Sequence, residues 1–306
     1  MRLGTGRNEM RSSGMRWMIG REGLFAALLG ACTTTSTPVS MMAKPNREPP
    51  VAAARAPTSA TPAESHVSEA PPAPPPLTAS APLVEIDLEL KNAKPAVVSL
   101  PLGSTDARPV IVVTHGAGGR ATTHCKMWRG IVEDRGFIVC PRGVPMYPYE
   151  PPHESGYYYD GHPKLAIEIE AALAALVATY GDRVDAERPV FAGYSQGANM
   201  GALVLPGHAA RFGSAVLWEG GVGEYQEWNV QVARKFAERG GTRVLLACGR
   251  ADCFKAAERT AHYMKRGGLE PQVVFVPGAG HTYAGELGRR VKSRFAWLVE
   301  HDDRWR

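Results

Sequence analysis

From Pro109 onward, short apolar runs alternate with helix-compatible segments, and this alternation leaves few architectures open. "PVIVVTH" (109–115) is a continuous apolar run, as expected of a strand covered on both faces. Residues 121–135 suit a helix, and "GFIVC" (136–140) suits another buried strand. "LAIEIEAALAALVATY" (165–180) has the spacing of an amphipathic helix. Next come strand "PVFAGY" (189–194), helix "QGANMGALVL" (196–205) and strand "SAVLWEG" (214–220). A helix around 228–239, strand "RVLLAC" (243–248), helix 254–266, strand "QVVFV" (272–276) and a helix near 285–299 complete the series. Strands separated by helices imply right-handed crossovers and a mostly parallel sheet with helices on both faces. Ahead of them, "LVEIDLEL" alternates apolar and polar residues, and "AVVSL" (96–100) can pair with it as an antiparallel edge. No internal repeat is visible. The reading is one α/β domain over 84–306.

The residues before that domain read as targeting and tether. Arg16 and Arg21 flank the start of the short apolar stretch "GLFAALLGAC", and Leu29-Gly30-Ala31-Cys32 resembles a bacterial lipobox. Residues 1–32 are therefore expected to be a lipoprotein signal, with Cys32 lipidated and anchoring the chain to a membrane in the bacterial envelope. Residues 33–83 are dominated by Ala, Pro, Ser and Thr, a composition that cannot bury a core and serves as a tether. The formal charge is +5, but residues 1–32 hold five Arg and two Glu. The remainder carries 30 basic and 28 acidic residues, which leaves no electrostatic footprint for nucleic acid.

Residues 193–197, Gly-Tyr-Ser-Gln-Gly, form a G-x-S-x-G motif between a buried strand and a helix. A sharp strand-to-helix turn forces Ser195 to its tip, and small residues two positions either side let the chains pass. A serine hydroxyl then needs a base, and the base needs a carboxylate. In this architecture the chain order is Ser, acid, His. Between Ser195 and His281 the only aspartate is Asp252, just after "RVLLAC", so Asp252 is the expected acid. Glu219, after "SAVLW", is the reserve. His281 follows "QVVFV" through "PGAG", and its glycines allow it to fold back toward Ser195.

With these residues in place, the domain resembles the α/β-hydrolases, near their bacterial esterase, depolymerase and thioesterase branches. The resemblance implies a Ser195–Asp252–His281 triad that cleaves carboxylic esters through an acyl-enzyme, without a cofactor or a metal. It also implies an oxyanion hole formed by the backbone N–H of Gln196 and a second N–H from His115-Gly116-Ala117-Gly118. The second donor is Ala117 or Gly118. Competing readings are a serine peptidase of the prolyl-oligopeptidase type and a non-catalytic envelope-binding lipoprotein. A dinucleotide-dependent oxidoreductase is disfavoured. Gly116, Gly118 and Ala121 match its fingerprint, but the next strand ends in Cys140-Pro141, where that fingerprint requires an acidic residue.

Residues 144–163 hold five tyrosines and five prolines. Tyr147, Tyr149, Tyr157, Tyr158 and Tyr159, with Trp218, are expected to form a wall against acyl, aromatic or sugar groups of a small ester substrate. Outside the cytosol disulfides persist, and Cys125–Cys140 with Cys248–Cys253 is the preferred pairing.

Overall fold

In the computed structural model the described residues are 77 and 83–306, apart from 150, 152, 153 and 224–226. They fall in one compact unit, Ser68–Arg306. Cys32, the signal segment and nearly all of the tether lie outside the described residues.

Among the described residues the first elements are β1 (Leu83–Ile86) and β2 (Ala96–Ser99), an antiparallel pair. The alternating sequence continues to Leu90, but β1 stops at Ile86. Its partner begins at Ala96, opposite Ile86, and the ladder ends at that pair. β3 (Arg108–Thr114), α1 (Ala121–Val132), β4 (Phe137–Cys140) and a two-stranded hairpin, β5 (Val144–Pro145) with β6 (Tyr157–Tyr158), follow. Then come α2 (His162–Tyr180), β7 (Val184–Tyr194), α3 (Gln196–Gly207), β8 (Ala215–Trp218) and α4 (Val230–Glu238). β9 (Arg243–Cys248), α5 (Ala251–Arg266), β10 (Glu270–Phe275) and α6 (Gly285–Val299) close the order.

Eight strands form one sheet in the order β1-β2-β4-β3-β7-β8-β9-β10. Every pair from β4 to β10 is parallel, and β2 runs antiparallel to β4. The period of two along a strand sends alternate side chains to opposite faces. Val110 and Val112 therefore join one core, with Leu173 and Leu246, while Ile111 and Val113 join the other, with Trp128 and Phe295. Burial on both faces explains why these strands read as continuous apolar runs. The structure contains the disulfides Cys125–Cys140 and Cys248–Cys253, the pairing preferred from the sequence. The turns at the carboxyl ends of β3, β7, β8, β9 and β10 lie along one edge of the sheet, where α/β folds of this kind place ligands.

Candidate active site

β7 runs directly into Gly193-Tyr194-Ser195-Gln196-Gly197. Ser195 sits at the tip with φ 52° and ψ −118°. A residue with a side chain is strained there and persists only where its surroundings enforce it. Two close approaches depend on glycine. A Cβ on Gly193 would lie 2.6 Å from Cα of Ala198, and one on Gly197 would lie 2.6 Å from the His115 carbonyl oxygen. The Ser195 N–H donates to the Trp218 carbonyl at 2.8 Å, tying the tip to β8.

The loop after β10 brings His281 back over the sheet edge. Its Nε2 lies 2.8 Å from Ser195 Oγ. Two side-chain hydrogen bonds tie down this loop. The Tyr194 hydroxyl donates to the His281 carbonyl at 2.9 Å, and the Trp218 indole N–H donates to the Thr282 carbonyl at 3.0 Å. Burial, and secondly the charge of Glu219, push the Tyr194 phenol up to about 12. It therefore keeps its proton and remains a fixed donor near neutral pH.

The carboxylate against His281 belongs to Glu219. Glu219 follows β8 directly, its side chain is 0% exposed, and its Oε2 lies 3.3 Å from His281 Nδ1. The Gly249 N–H donates to Oε1, and the Arg250 Nε–H donates to Oε2 at 3.2 Å. A buried carboxylate needs such partners. A carboxylate on Nδ1 also selects the imidazole tautomer whose Nε2 lone pair faces the serine hydroxyl. The expectation for Asp252 is corrected here. Asp252 lies in the first turn of α5, 73% exposed, with Oδ2 3.5 Å from Arg250 Nη1. That position suits a carboxylate through the helix dipole, and it directs the side chain to solvent.

The glycine turn after β3 packs against the elbow. A Cβ on Gly116 would come within 3.0 Å of Ser195 Cβ. The His115 N–H donates to the Tyr159 hydroxyl at 3.2 Å. The Gly118 N–H donates to the Tyr157 carbonyl at 2.9 Å, and the Gly119 N–H donates to the Gly116 carbonyl at 2.9 Å. Gly118 is thus committed, and of the two candidate donors Ala117 is the one left. Gln196 opens α3, and the first residue of a helix has no intrahelical acceptor for its N–H.

No protein-family model matches the chain, and no curated protein matches it. Solved structures do. Est1E from Butyrivibrio proteoclasticus aligns at a TM-score of 0.52 and 15% identity, over 72% of this chain and 98% of that one. A protein from Klebsiella pneumoniae assigned as a dienelactone hydrolase aligns at 0.51 and 16%, over 71% and 98%. The chain has the α/β-hydrolase fold. At these identities the likeness carries the fold, and the chemistry rests on the side chains described above.

Within the α/β-hydrolase fold, the aromatic residues expected to line a substrate wall divide into two groups. Trp218 is buried in the core at the end of β8, with its indole N–H used on Thr282. Tyr157 and Tyr159 are also buried. The Tyr159 ring stacks on His115 at 4.7 Å, and its hydroxyl donates to the Pro141 carbonyl at 3.0 Å. Its backbone is held from the other side, where Gln196 Oε1 accepts from the Tyr159 N–H at 3.0 Å. These three residues are scaffold for the elbow and the glycine turn. Tyr147 is exposed, Tyr149 is 100% exposed, and Tyr158 is half-buried, so only these three can present a surface.

Sequence reasoning passed over Arg250, the second side-chain partner of Glu219, and Tyr194, which holds the His281 carbonyl. Tyr194 occupies the first free position of G-x-S-x-G, and no spacing rule assigns that position a role. Burial lowers the pKa of His115, whose ring nitrogens lie 2.8 and 2.9 Å from the Gly116 and Arg142 carbonyl oxygens. Among the described residues no group of three His, Cys, Asp or Glu side chains is arranged to hold a metal ion.

Proposed function

We propose that this protein is a serine hydrolase of carboxylic esters, with Ser195 as nucleophile, His281 as general base and acid, and Glu219 as the orienting carboxylate. The observation that carries this reading is the continuous chain from Ser195 Oγ to His281 Nε2 at 2.8 Å and from His281 Nδ1 to Glu219 Oε2 at 3.3 Å, mounted on a strained elbow. Ser195 Oγ attacks the ester carbonyl while Nε2 takes its proton. The tetrahedral oxyanion is received by the N–H groups of Gln196 and Ala117, each worth about 3 kcal/mol where such donors have been removed from serine proteases. His281 then protonates the leaving alcohol. Water adds to the acyl-enzyme by the same route, and Ser195 is regenerated.

The substrates proposed are small acyl or aromatic esters. Tyr147 and Tyr149 support this class, because they leave aromatic surface open on the hairpin that abuts the glycine turn. The two disulfides favour a location outside the cytosol, where such bonds persist. The lipobox-like Cys32 extends the proposal to a lipid-anchored envelope enzyme. A fluorophosphonate probe tests the chemistry. It is expected to label wild-type protein at Ser195, and Ser195→Ala is expected to abolish both labelling and short-chain ester hydrolysis. Folded wild-type protein that neither labels nor hydrolyses would overturn the proposal.

A further inference from the structure

The residues that hold Glu219 lie in one short loop. Gly249 and Arg250 both fall between Cys248 and Cys253, which are joined by a disulfide. The loop touches the base as well as the acid. A Cβ on Gly249 would lie 2.3 Å from the Gly280 carbonyl oxygen and 3.0 Å from Ala279 Cβ, so the backbone there is seated against the segment just before His281. The Cys248 carbonyl accepts from the Val276 N–H at 3.1 Å, which fixes the start of the His281 loop to the end of β9.

Among the described residues, Arg250 is the guanidinium paired with Glu219. Its Nε–H donates to Oε2 at 3.2 Å, the same oxygen that faces His281 Nδ1 at 3.3 Å. Its Nη1 lies 3.5 Å from Asp252 Oδ2. The side chains therefore run Asp252, Arg250, Glu219, His281, Ser195. Two carboxylates share one guanidinium, and only the inner one reaches the imidazole. A planar guanidinium fork sets direction as well as charge. Held at Oε2 by Arg250 and at Oε1 by Gly249, the carboxylate cannot rotate away from Nδ1 without losing a partner.

We propose that Arg250 is a positioning residue that acts on the general base through Glu219, with Asp252 steadying its fork and the disulfide-closed loop 248–253 as its frame. This rests on the serine-hydrolase reading above. Loss of a hydrogen bond to a charged group corresponds to about a ten- to hundredfold change in an equilibrium, and Arg250 is partly exposed, which places the effect near the lower end.

The test is a double-mutant cycle on the full chain. Arg250→Met is expected to lower kcat on a p-nitrophenyl ester about tenfold, with KM within about twofold of wild type. The second-order rate of fluorophosphonate labelling of Ser195 should fall by the same factor. In a Glu219→Gln background, Arg250→Met should change the labelling rate by less than about twofold, because its target is gone. Arg250→Lys, which keeps the charge and loses the fork, is expected to be intermediate, and it replaces the Met variant if that one does not fold. Wild-type rates in Arg250→Met, or the same factor in both backgrounds, would overturn the inference and leave the hydrolase reading intact. Wild-type protein that neither labels nor hydrolyses would overturn both.

Discussion

Glu219→Gln and Asp252→Asn are nearly isosteric changes at two carboxylates 33 residues apart in sequence, and the structure separates their consequences widely. Three N–H groups converge on Glu219: Gly249 at Oε1, with Arg250 and His281 at Oε2. A carboxylate accepts from all three. An amide has one oxygen and one NH2, so at least one of the three must face a donor. If the oxygen stays on Gly249, the NH2 faces Arg250 and Nδ1 of His281. The imidazole relieves that conflict by moving its proton to Nε2, and a protonated Nε2 cannot accept the proton of Ser195. In a serine protease the equivalent change lowers kcat about 10⁴-fold, or about 5.5 kcal/mol. Asp252 is 73% exposed and pairs with Arg250 at 3.5 Å. A surface pair of this kind is worth about 0–1 kcal/mol, at most about a fivefold effect. The two variants should therefore differ by about three orders of magnitude in kcat on a short-chain ester, with thermal melts to confirm folding. Equal losses, or a greater loss from Asp252→Asn, would refute the assignment of Glu219.

Two further outcomes follow from burial and chain connectivity. Cys125 and Cys140 are 15 residues apart, and Cys248 and Cys253 only 5. Loop-closure entropy gives about 3 kcal/mol for the longer loop and about 2 for the shorter, so Cys125→Ala with Cys140→Ala should lower Tm more than the other pair of substitutions; the reverse order would count against the entropic reasoning. His124 is buried, its Nδ1 has no hydrogen-bond partner among the described residues, and burial, then the neighbouring His115, lower its pKa to about 3. The folded chain keeps it neutral, while the unfolded chain takes up a proton near its usual value of about 6.5, so the stabilisation is complete above that pH and is lost as pH falls toward 3. Between pH 7 and 4.5 this amounts to about 2.5 kcal/mol, and urea unfolding of His124→Leu at both pH values should show a pH dependence weaker by about that amount. An unchanged pH dependence would remove His124 as its source.

The strands and helices were legible because both faces of the sheet are covered. Val110–Val113 cannot be read as amphipathic, yet each residue has a core to enter. Ser195 and His281, the proposed nucleophile and base, were legible for a different reason. Gly193, Gly197, Gly278 and Gly280 surround Ser195 and His281, and glycine leaves a mark in sequence wherever a chain must turn sharply or approach closely. The proposed acid, Glu219, left no such mark. The order Ser, acid, His admits both Glu219 and Asp252, and choosing between them requires knowing how far each side chain reaches from its strand end. β8 lies beside β7, so a glutamate at its end meets a histidine poised over Ser195. β9 is one strand further away, and the residues after it turn into α5 with Asp252 facing outward. One signal did exist in the sequence. Glu219 directly follows four apolar residues of a buried strand, a place where a carboxylate is costly to desolvate and persists only with partners.

Tyr157 and Tyr159 were misplaced by the opposite error, in which composition outweighed periodicity. "GYYYDG" looks like exposed aromatic surface. The period of two of an extended strand instead buries Tyr157 and Tyr159 together and leaves Tyr158 between them half-exposed. Those two residues complete the glycine turn. The Tyr157 carbonyl takes the Gly118 N–H, and the Tyr159 hydroxyl takes the His115 N–H. With the N–H groups on either side so engaged, the orientation of the Ala117 peptide is set by the hairpin as much as by β3. The backbone geometry at a proposed oxyanion site therefore depends on residues about 40 positions further along the chain. That dependence arises in three dimensions, and no short motif could have carried it.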